Sequence, residues 1–135
     1  VAIAGVLAMR PEVIILDEPT AGLDPAGVSD ILKLLQKLKT ETDLSIILST
    51  HDVDIVPLYC DFAYVMDHGQ VVLQGTVHEI FAQAATLRRH ALRLPRIAHL
   101  MELLHEKDRL DVDKTAATIS KARKSIVELV QKHGE

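Results

Sequence analysis

The stretch "VIILDEPTAGLDP" occupies residues 13–25 and places four apolar residues directly before two acids, Asp17 and Glu18. A short continuous apolar run is typical of a strand that is buried on both faces of a parallel sheet. Two adjacent carboxylates at the end of such a strand repel each other and are costly to desolvate, so we expect a cation beside them. The stretch therefore predicts a buried strand that ends at a cation site.

The residues that follow predict a helix and a second strand. Asp24 before Pro25 is a typical helix start, and the helical pattern continues to about residue 40. Spacings of three and four place one apolar side on this helix. That side consists of Val28, Ile31, Leu32, Leu34, Leu35 and Leu38. A second apolar run, "LSIILST", ends just before His51. A strand, a helix and a strand of these lengths predict an α/β unit with parallel strands and a right-handed connection.

A hairpin is predicted further along the chain. In "FAYVMDHGQVVLQG" two β-rich runs flank the turn signal Asp67-His68-Gly69, and Thr76 is placed to cap a short helix. From residue 84 onward only helical patterns remain, and Gly134 is the expected end of the last helix.

Charge is divided unevenly along the chain. Residues 1–83 contain 4 basic and 12 acidic residues, whereas residues 84–135 contain 11 basic and 7 acidic residues. We therefore predict an α/β module over residues 1–83 and a helical module over residues 84–135.

Length and composition limit the class of protein. A chain of 135 residues suits one domain with a small appendage. A single cysteine, Cys60, excludes an internal disulfide and fits a reducing cytosol. The longest apolar run has nine residues, about half of what a membrane-spanning helix requires. No signal peptide is recognisable, and a start at Val without Met indicates that the natural chain began further upstream.

Three polar residues are predicted to meet at one edge of the sheet. Asp17, Glu18 and His51 each follow a strand, and ligands of parallel α/β sheets bind beyond the carboxyl ends of the strands. We expect a magnesium–phosphate centre there. Asp17 would hold Mg²⁺ directly or through water, and Glu18 would polarise an attacking water. His51 would hydrogen-bond the terminal phosphate and help to place that water.

Three motifs in the same order resemble those of ABC transporter ATPases. "VIILDEPT" resembles the Walker B strand with its catalytic glutamate at Glu18, "AGLD" resembles the D-loop ending at Asp24, and "STHD" resembles the switch-histidine loop with His51. The opening "VAIAGVLAMRPE" is similar to the helix after the ABC signature motif. The resemblance implies an α/β fold with a partial P-loop NTPase (ABC ATPase) parallel sheet and a C-terminal helical extension. It also implies ATP and Mg²⁺, with Asp17 and Asp24 on the side of the nucleotide.

The helical tail resembles a particular group of these ATPases. "LRLPRIAHLMELL" followed by "TAATISKARKSIVELV" is similar to the C-terminal extension of cobalt-importer ATPases of the energy-coupling-factor type. The resemblance implies a cytoplasmic subunit, peripheral on the inner face of the cell membrane. Such a subunit pairs with a second ATPase subunit through the extension and drives uptake through integral membrane subunits. Nickel and vitamin importers are alternatives, because the sequence does not give the transported substrate.

The chain also departs from the family. No GxxxxGK[ST] phosphate loop, Q-loop or "LSGGQ" signature occurs in these 135 residues. Since that loop supplies the backbone cradle and the lysine that hold the nucleotide, we expect that this chain alone neither binds ATP tightly nor hydrolyses it. It resembles the C-terminal half of an ATPase. A non-catalytic dimerisation and regulatory module is the alternative, and an ABC ATPase outside transport is disfavoured by the tail.

Two other groups of side chains suggest different chemistry. The first comprises His68, His78, His90, His99, His105 and His133. These histidines have no i, i+4 pair and no cysteine beside them, so we expect no metal site on them. The second comprises Arg88, Arg89, Arg93 and Arg96. Because few aromatic residues are present for stacking, we expect a solvated face or a subunit contact and no nucleic-acid partner.

Overall fold

The computed structural model describes residues 2–133, which form two compact units. The first unit ends at His51 and the second begins at Asp52. The division predicted near Gln83 is therefore not where the compact units separate, and the two-module organisation stays a prediction.

The first unit contains the predicted strand–helix–strand arrangement. Its elements are α1 (Ala2–Leu7), β1 (Val13–Asp17), α2 (Pro25–Glu41) and β2 (Ser45–Ser49). β1 and β2 pair in parallel, with Ile15 opposite Ile47 and Asp17 opposite Ser49. The register brings the carboxyl ends of both strands to the same edge, so the α/β prediction is confirmed.

The packing of α2 on the strands explains most of the apolar pattern. Ile14, Leu35 and Leu44 form the buried core of this unit. Leu34 is 39% exposed, so its placement on the apolar side was wrong. At 3.6 residues per turn, Leu34 lies about 100° around the helix from Leu35 and therefore leaves the covered face.

The prediction that β1 is buried on both faces is also wrong. Ile14 is 4% exposed, whereas its neighbour Ile15 is 75% exposed, and Ile47 on β2 is 55% exposed. Side chains alternate between the two faces of a strand, and α2 covers only one of them. Within the described part of this unit, no element covers the other face.

The second unit consists of a hairpin and helices. Its elements are α3 (Val56–Tyr59), β3 (Phe62–Asp67), β4 (Gln70–Thr76), α4 (Val77–Ala82), α5 (Ala84–Arg89), α6 (Arg96–Glu106) and α7 (Ile119–His133). β3 and β4 are antiparallel, and the turn residues His68 and Gly69 have φ of 47° and 77°. Two positive φ angles are what a tight type I′ hairpin turn requires, so the hairpin prediction is confirmed. Gly134, the predicted end of the last helix, lies outside the described residues.

The predicted cap at Thr76 is present as a reciprocal pair of hydrogen bonds. The Glu79 N–H donates to Thr76 Oγ1 at 3.3 Å, and the Thr76 N–H donates to Glu79 Oε2 at 2.8 Å. Gly75 precedes this capping box with a φ of 155°, and a Cβ there would lie 2.8 Å from Glu79 Oε2. The sequence Gly-Thr-x-x-Glu therefore ends β4 and begins α4 in one step.

The hairpin and the following helices share one core. Ile80, Phe81, Leu87, Leu94 and Ala98 are buried together, with side chains of the hairpin packed against them. A second cluster, made of Met101, Val112, Ala116 and Ala122, joins α6 to α7. Residues of α5 and α6 thus pack with the hairpin that precedes them, whereas α7 packs on α6.

Candidate functional site

The two strand ends of the first unit are linked by their polar groups. Asp17 lies opposite Ser49 in the sheet, and the Ser49 hydroxyl donates a hydrogen bond to Asp17 Oδ1. The Glu18 N–H donates to the Ser49 carbonyl at 3.0 Å. Ser49 was not among the predicted site residues, although its place before Thr50 and His51 at the end of the second strand could have indicated it.

Glu18 and His51 are in direct contact. The His51 backbone N–H donates to Glu18 Oε1 at 2.9 Å, and His51 Nδ1 lies 2.8 Å from the same oxygen. An ionised carboxylate can only accept hydrogen bonds, so Nδ1 carries the proton in this contact. The His51 side chain is 84% exposed and that of Glu18 is 33% exposed. A ligand can therefore reach both side chains.

The backbone at Glu18 explains how consecutive acids reach one edge. In a continuing strand, Asp17 and Glu18 would point to opposite faces of the sheet. Glu18 has a φ of 45°, which is uncommon for a residue other than glycine, and its carbonyl accepts from the Ala21 N–H at 3.0 Å. The chain thus turns at Glu18. Residues in strained backbone conformations concentrate at functional sites. No residue type in the sequence predicts the positive φ at Glu18.

Asp24 has a structural role in the described contacts. Its carboxylate accepts from the Gly27 N–H at 2.7 Å, and its carbonyl accepts from the Val28 N–H at 2.9 Å. Both are contacts of the first turn of α2, which Pro25 begins. The predicted cap is confirmed, and these contacts do not join Asp24 to the other three site residues.

The carboxylates at the strand ends are of a type that suits Mg²⁺. Asp17 is exposed at the edge of the sheet, and Mg²⁺ is usually held by one or two carboxylates together with water and phosphate oxygens. Among the described side chains, those of residues 5–132, no three of His, Cys, Asp and Glu come together as a group that could hold a metal by themselves. The donor set at Asp17 thus fits a hard cation shared with a phosphate.

Three of the four arginines of the predicted basic cluster, Arg88, Arg93 and Arg96, pair with acids of the same unit. Arg88 Nη1 donates to Glu102 Oε1 at 3.0 Å, and Arg93 Nη2 donates to Asp54 Oδ2 at 3.0 Å. The hydrogen bond from Arg88 holds the pKa of Glu102 below its ordinary value, outweighing the opposite effect of desolvation. The sequence predicted these arginines on a solvated face or at a subunit contact. In the structure, Arg88 and Arg93 bind carboxylates of their own unit.

A cavity of about 300 Å³ lies within the second unit, and its lining comes from residues between 81 and 115. Its charged side chains are paired, Arg88 with Glu102, and Lys114 Nζ with Glu106 Oε1 at 3.7 Å. These charged side chains therefore already have partners of opposite charge, and we assign no site to the cavity.

None of the helices described between residues 2 and 133 is long and apolar enough to cross a membrane.

Comparisons with known proteins identify the relatives of this chain. It is 59% identical over 126 residues to the energy-coupling factor transporter ATP-binding protein EcfA2 of Clostridium perfringens (strain SM101), covering 93% of this chain and 44% of that protein. It is 54% identical over 127 residues to the energy-coupling factor transporter ATP-binding protein EcfA of Methanocaldococcus jannaschii, covering 94% and 45%. Residues 1–56 match a family model described as "AAA domain, putative AbiEii toxin, Type IV TA system".

A solved structure supports the same relationship. The structure of cbiO1 from Clostridium perfringens, described as part of the ABC transporter complex cbiONQ, matches with a TM-score of 0.57 and 61% sequence identity. The match covers 75% of this chain and 40% of that one. The chain therefore spans less than half the length of these relatives. In sequence it is homologous to the ATP-binding proteins of energy-coupling-factor transporters, and in structure it is part of the ABC ATPase fold.

Proposed function

We propose that this chain is part of the ATP-hydrolysing subunit of a membrane importer, with ATP as substrate and Mg²⁺ as cofactor. The observation that carries the proposal is the contact of Glu18 with His51 beside the linked ends Asp17 and Ser49. The names of the relatives, which are transporter ATP-binding proteins, support it. We propose that the subunit lies at the inner face of the cell membrane, beside integral membrane subunits, as the resemblance of the helical tail implies; that cbiO1 is part of an ABC transporter complex supports such partners.

Glu18 is proposed as the general base. One of its oxygens, Oε1, holds the backbone and the ring of His51, so the carboxylate is fixed in position before any substrate arrives. We assign the second oxygen, Oε2, to the water that attacks the terminal phosphorus, because a carboxylate can take up the proton that this water loses.

His51 is proposed to orient the water or the terminal phosphate. Since Nδ1 donates to Glu18, the neutral ring would present Nε2 as an acceptor, which suits a water O–H. The doubly protonated ring would instead donate from Nε2, which suits a phosphate oxygen. In either state the contact with Glu18 sets the direction of the ring.

Asp17 and Asp24 complete the proposed nucleotide side of the site. Asp17 would hold Mg²⁺, whose charge, when it is bound, stabilises the charge that develops on the phosphates. Ser49 fixes the Asp17 carboxylate through its hydroxyl. Asp24 combines its cap of α2 with the D-loop role that the resemblance implies, since a capping carboxylate at a helix start remains exposed.

The role of Glu18 can be tested in a chimaera that places this chain behind the preceding half of the Clostridium perfringens relative. Glu18→Gln keeps an oxygen that accepts from His51 but removes the base, so we expect nucleotide binding to persist and turnover to fall roughly 10² or more. Glu41→Gln is the matched control, because Glu41 is an exposed acid at the end of α2 that pairs only weakly with Lys37 at 3.9 Å. ATP hydrolysis at the parental rate in the Glu18 variant would remove this residue from the mechanism.

A non-catalytic pairing module is the second candidate, and it is favoured by one observation. Ile119 and Val130 on α7 are 74% and 63% exposed, which leaves apolar surface on the last described helix. We expect the 135-residue chain to pair through residues 84–135 and to show no micromolar affinity for Mg-ATP in calorimetry. Sedimentation of the chain without nucleotide tests the pairing; a tight dimer that survives deletion of residues 84–135 would refute a tail-driven interface.

Cobalt is the proposed cargo, on the resemblance of the helical tail, with nickel or a vitamin as alternatives. The cargo is expected to be selected by the membrane subunits, because the ATPase acts on nucleotide. Uptake of labelled cobalt, nickel and vitamin by the assembled transporter would distinguish the three; uptake of nickel alone would exclude cobalt.

A further inference from the structure

Ser49 contacts both acids at the end of β1. Its hydroxyl donates a hydrogen bond to Asp17 Oδ1, and its carbonyl accepts from the Glu18 N–H at 3.0 Å. The first bond uses the side chain of Ser49, whereas the second uses its main chain. A substitution at position 49 can therefore remove the bond to Asp17 while the bond to Glu18 remains, so the two contacts can be separated by experiment.

The sheet places the Asp17–Ser49 pair on the face that α2 does not cover. The two residues lie opposite each other at the last position of their strands. Because side chains alternate between the faces of a strand, Asp17 shares a face with Ile15, and Ser49 shares a face with Ile47. Both isoleucines are exposed. A cation can therefore reach the Asp17 carboxylate from this face of the sheet.

The bond from Ser49 makes the two carboxylate oxygens of Asp17 unequal. Oδ1 accepts from the hydroxyl, which leaves Oδ2 as the oxygen for a cation. Mg²⁺ requires near-ideal octahedral geometry and keeps several of its waters, so it suits a carboxylate that binds through one oxygen. Ca²⁺ takes roughly six to eight oxygens and binds carboxylates through one oxygen or both. A carboxylate held on one side by a hydroxyl thus suits the smaller cation better.

We propose that Ser49 is a positioning residue that makes Asp17 a ligand through one oxygen and so favours Mg²⁺ over Ca²⁺. The inference rests on the proposed function, since it takes Asp17 as the carboxylate that holds Mg²⁺. It deepens that function by naming the residue that determines which cation is preferred. Hydrogen-bond partners of metal-binding side chains contribute roughly 10- to 100-fold to metal affinity, so the effect of Ser49 is large enough to measure.

Nucleotide binding to the chimaera tests this role without any measurement of turnover. The affinity for a non-hydrolysable ATP analogue is measured by calorimetry in Mg²⁺, in Ca²⁺ and in EDTA. In Ser49→Ala we expect the affinity to fall about tenfold in Mg²⁺ and about threefold or less in Ca²⁺. The affinity in EDTA should not change. Ser49→Thr keeps a hydroxyl and should restore the preference for Mg²⁺. Ser45→Ala is the matched control, because Ser45 lies on the same face of β2 but opposite Val13.

Two results would overturn the proposal. An unchanged affinity in Mg²⁺ for Ser49→Ala would show that the hydroxyl does not position Asp17. Equal losses in Mg²⁺ and Ca²⁺ would show that Ser49 does not distinguish the two cations. If Ser49→Ala does not fold, Ser49→Val is compared with Ser49→Thr, since Val and Thr have similar shapes, both suit a strand, and only Thr has the hydroxyl.

Failure of the proposed function gives a different result from failure of this inference. The parental chimaera should bind the analogue more tightly in Mg²⁺ than in EDTA. Equal affinities there would refute the magnesium role of Asp17, and this inference with it. A parental preference for Mg²⁺ that Ser49→Ala leaves intact would refute the role of Ser49 alone.

Discussion

Asp24 has two proposed roles, as the cap of α2 and as a D-loop residue, and two substitutions separate them. Asp24→Ala removes the acceptor that the Gly27 N–H uses at 2.7 Å. Asp24→Asn keeps an acceptor oxygen in the same place but removes the charge. The stability of α2 should therefore depend on whether residue 24 has an acceptor oxygen. Any role that needs the negative charge should be lost in both variants.

The magnitude follows from the first turn of α2. Pro25 has no N–H, and the Val28 N–H is bonded to the Asp24 carbonyl, so the Gly27 N–H is the donor that depends on the Asp24 side chain. Loss of a capping acceptor costs about 1 kcal/mol, which corresponds to about fivefold faster amide exchange wherever exchange requires α2 to open. For Asp24→Asn we expect a change of about 0.3 kcal/mol or less, since Asn caps nearly as well as Asp.

Amide hydrogen exchange of the full chain, followed by NMR, is the appropriate assay because it reports each unit separately. The amides of Leu32 and Leu35, in the buried part of α2, should exchange faster in Asp24→Ala and remain unchanged in Asp24→Asn. The amide of Met101 in α6 is the internal control. Equal acceleration in both variants would refute the capping argument, because it would make the charge and not the acceptor responsible.

Three further predictions concern the second unit. Met101→Ala should destabilise the chain by about 3 kcal/mol in urea unfolding, because Met101 is 0% exposed, whereas Leu100→Ala, at a 47% exposed position, should cost about 1 kcal/mol or less; equal losses would contradict the packing of α6 on α7. Gly75→Ala should speed amide exchange in α4 at least as much as Thr76→Ala, since its Cβ would lie 2.8 Å from Glu79 Oε2, and unchanged exchange would exclude that crowding. Because the pKa of Asp54 is lowered in the folded chain, the ionised carboxylate stabilises the fold above the ordinary pKa of 3.8, and this stabilisation is lost as pH falls through the lowered pKa. The difference in free energy of unfolding between the wild type and Asp54→Asn should therefore shrink from about pH 5 to about pH 2. A difference that grows on acidification would contradict a lowered pKa.

The parts of the fold that could be predicted depend on local chemistry. The cap at Asp24, the turn at His68 and Gly69, and the capping box at Thr76 are each set by a few neighbouring residues. The α/β unit followed from two apolar runs on either side of one amphipathic helix. These features therefore agree with the structure.

The parts that were missed depend on residues distant in sequence. Burial of Ile15 could not be judged from its own run, because it depends on which elements cover each face of the sheet. The cap of α6 by Asp54 joins positions 42 residues apart, and no pattern around Pro95 predicts it. At the candidate site, the sequence supplied Asp17, Glu18 and His51, but the left-handed turn at Glu18 and the bond from Ser49 emerged only from the structure.

The central claim is that Asp17, Glu18 and His51 serve one phosphate and its divalent ion. The most direct measurement is the crystal structure of the Glu18→Gln chimaera with Mg-ATP. We expect Mg²⁺ to be bound by the Asp17 carboxylate, directly or through one water, and the His51 ring to lie within hydrogen-bond distance of the terminal phosphate or its water. A nucleotide whose terminal phosphate and metal are held by other residues, with Asp17 and His51 both out of reach, would contradict it.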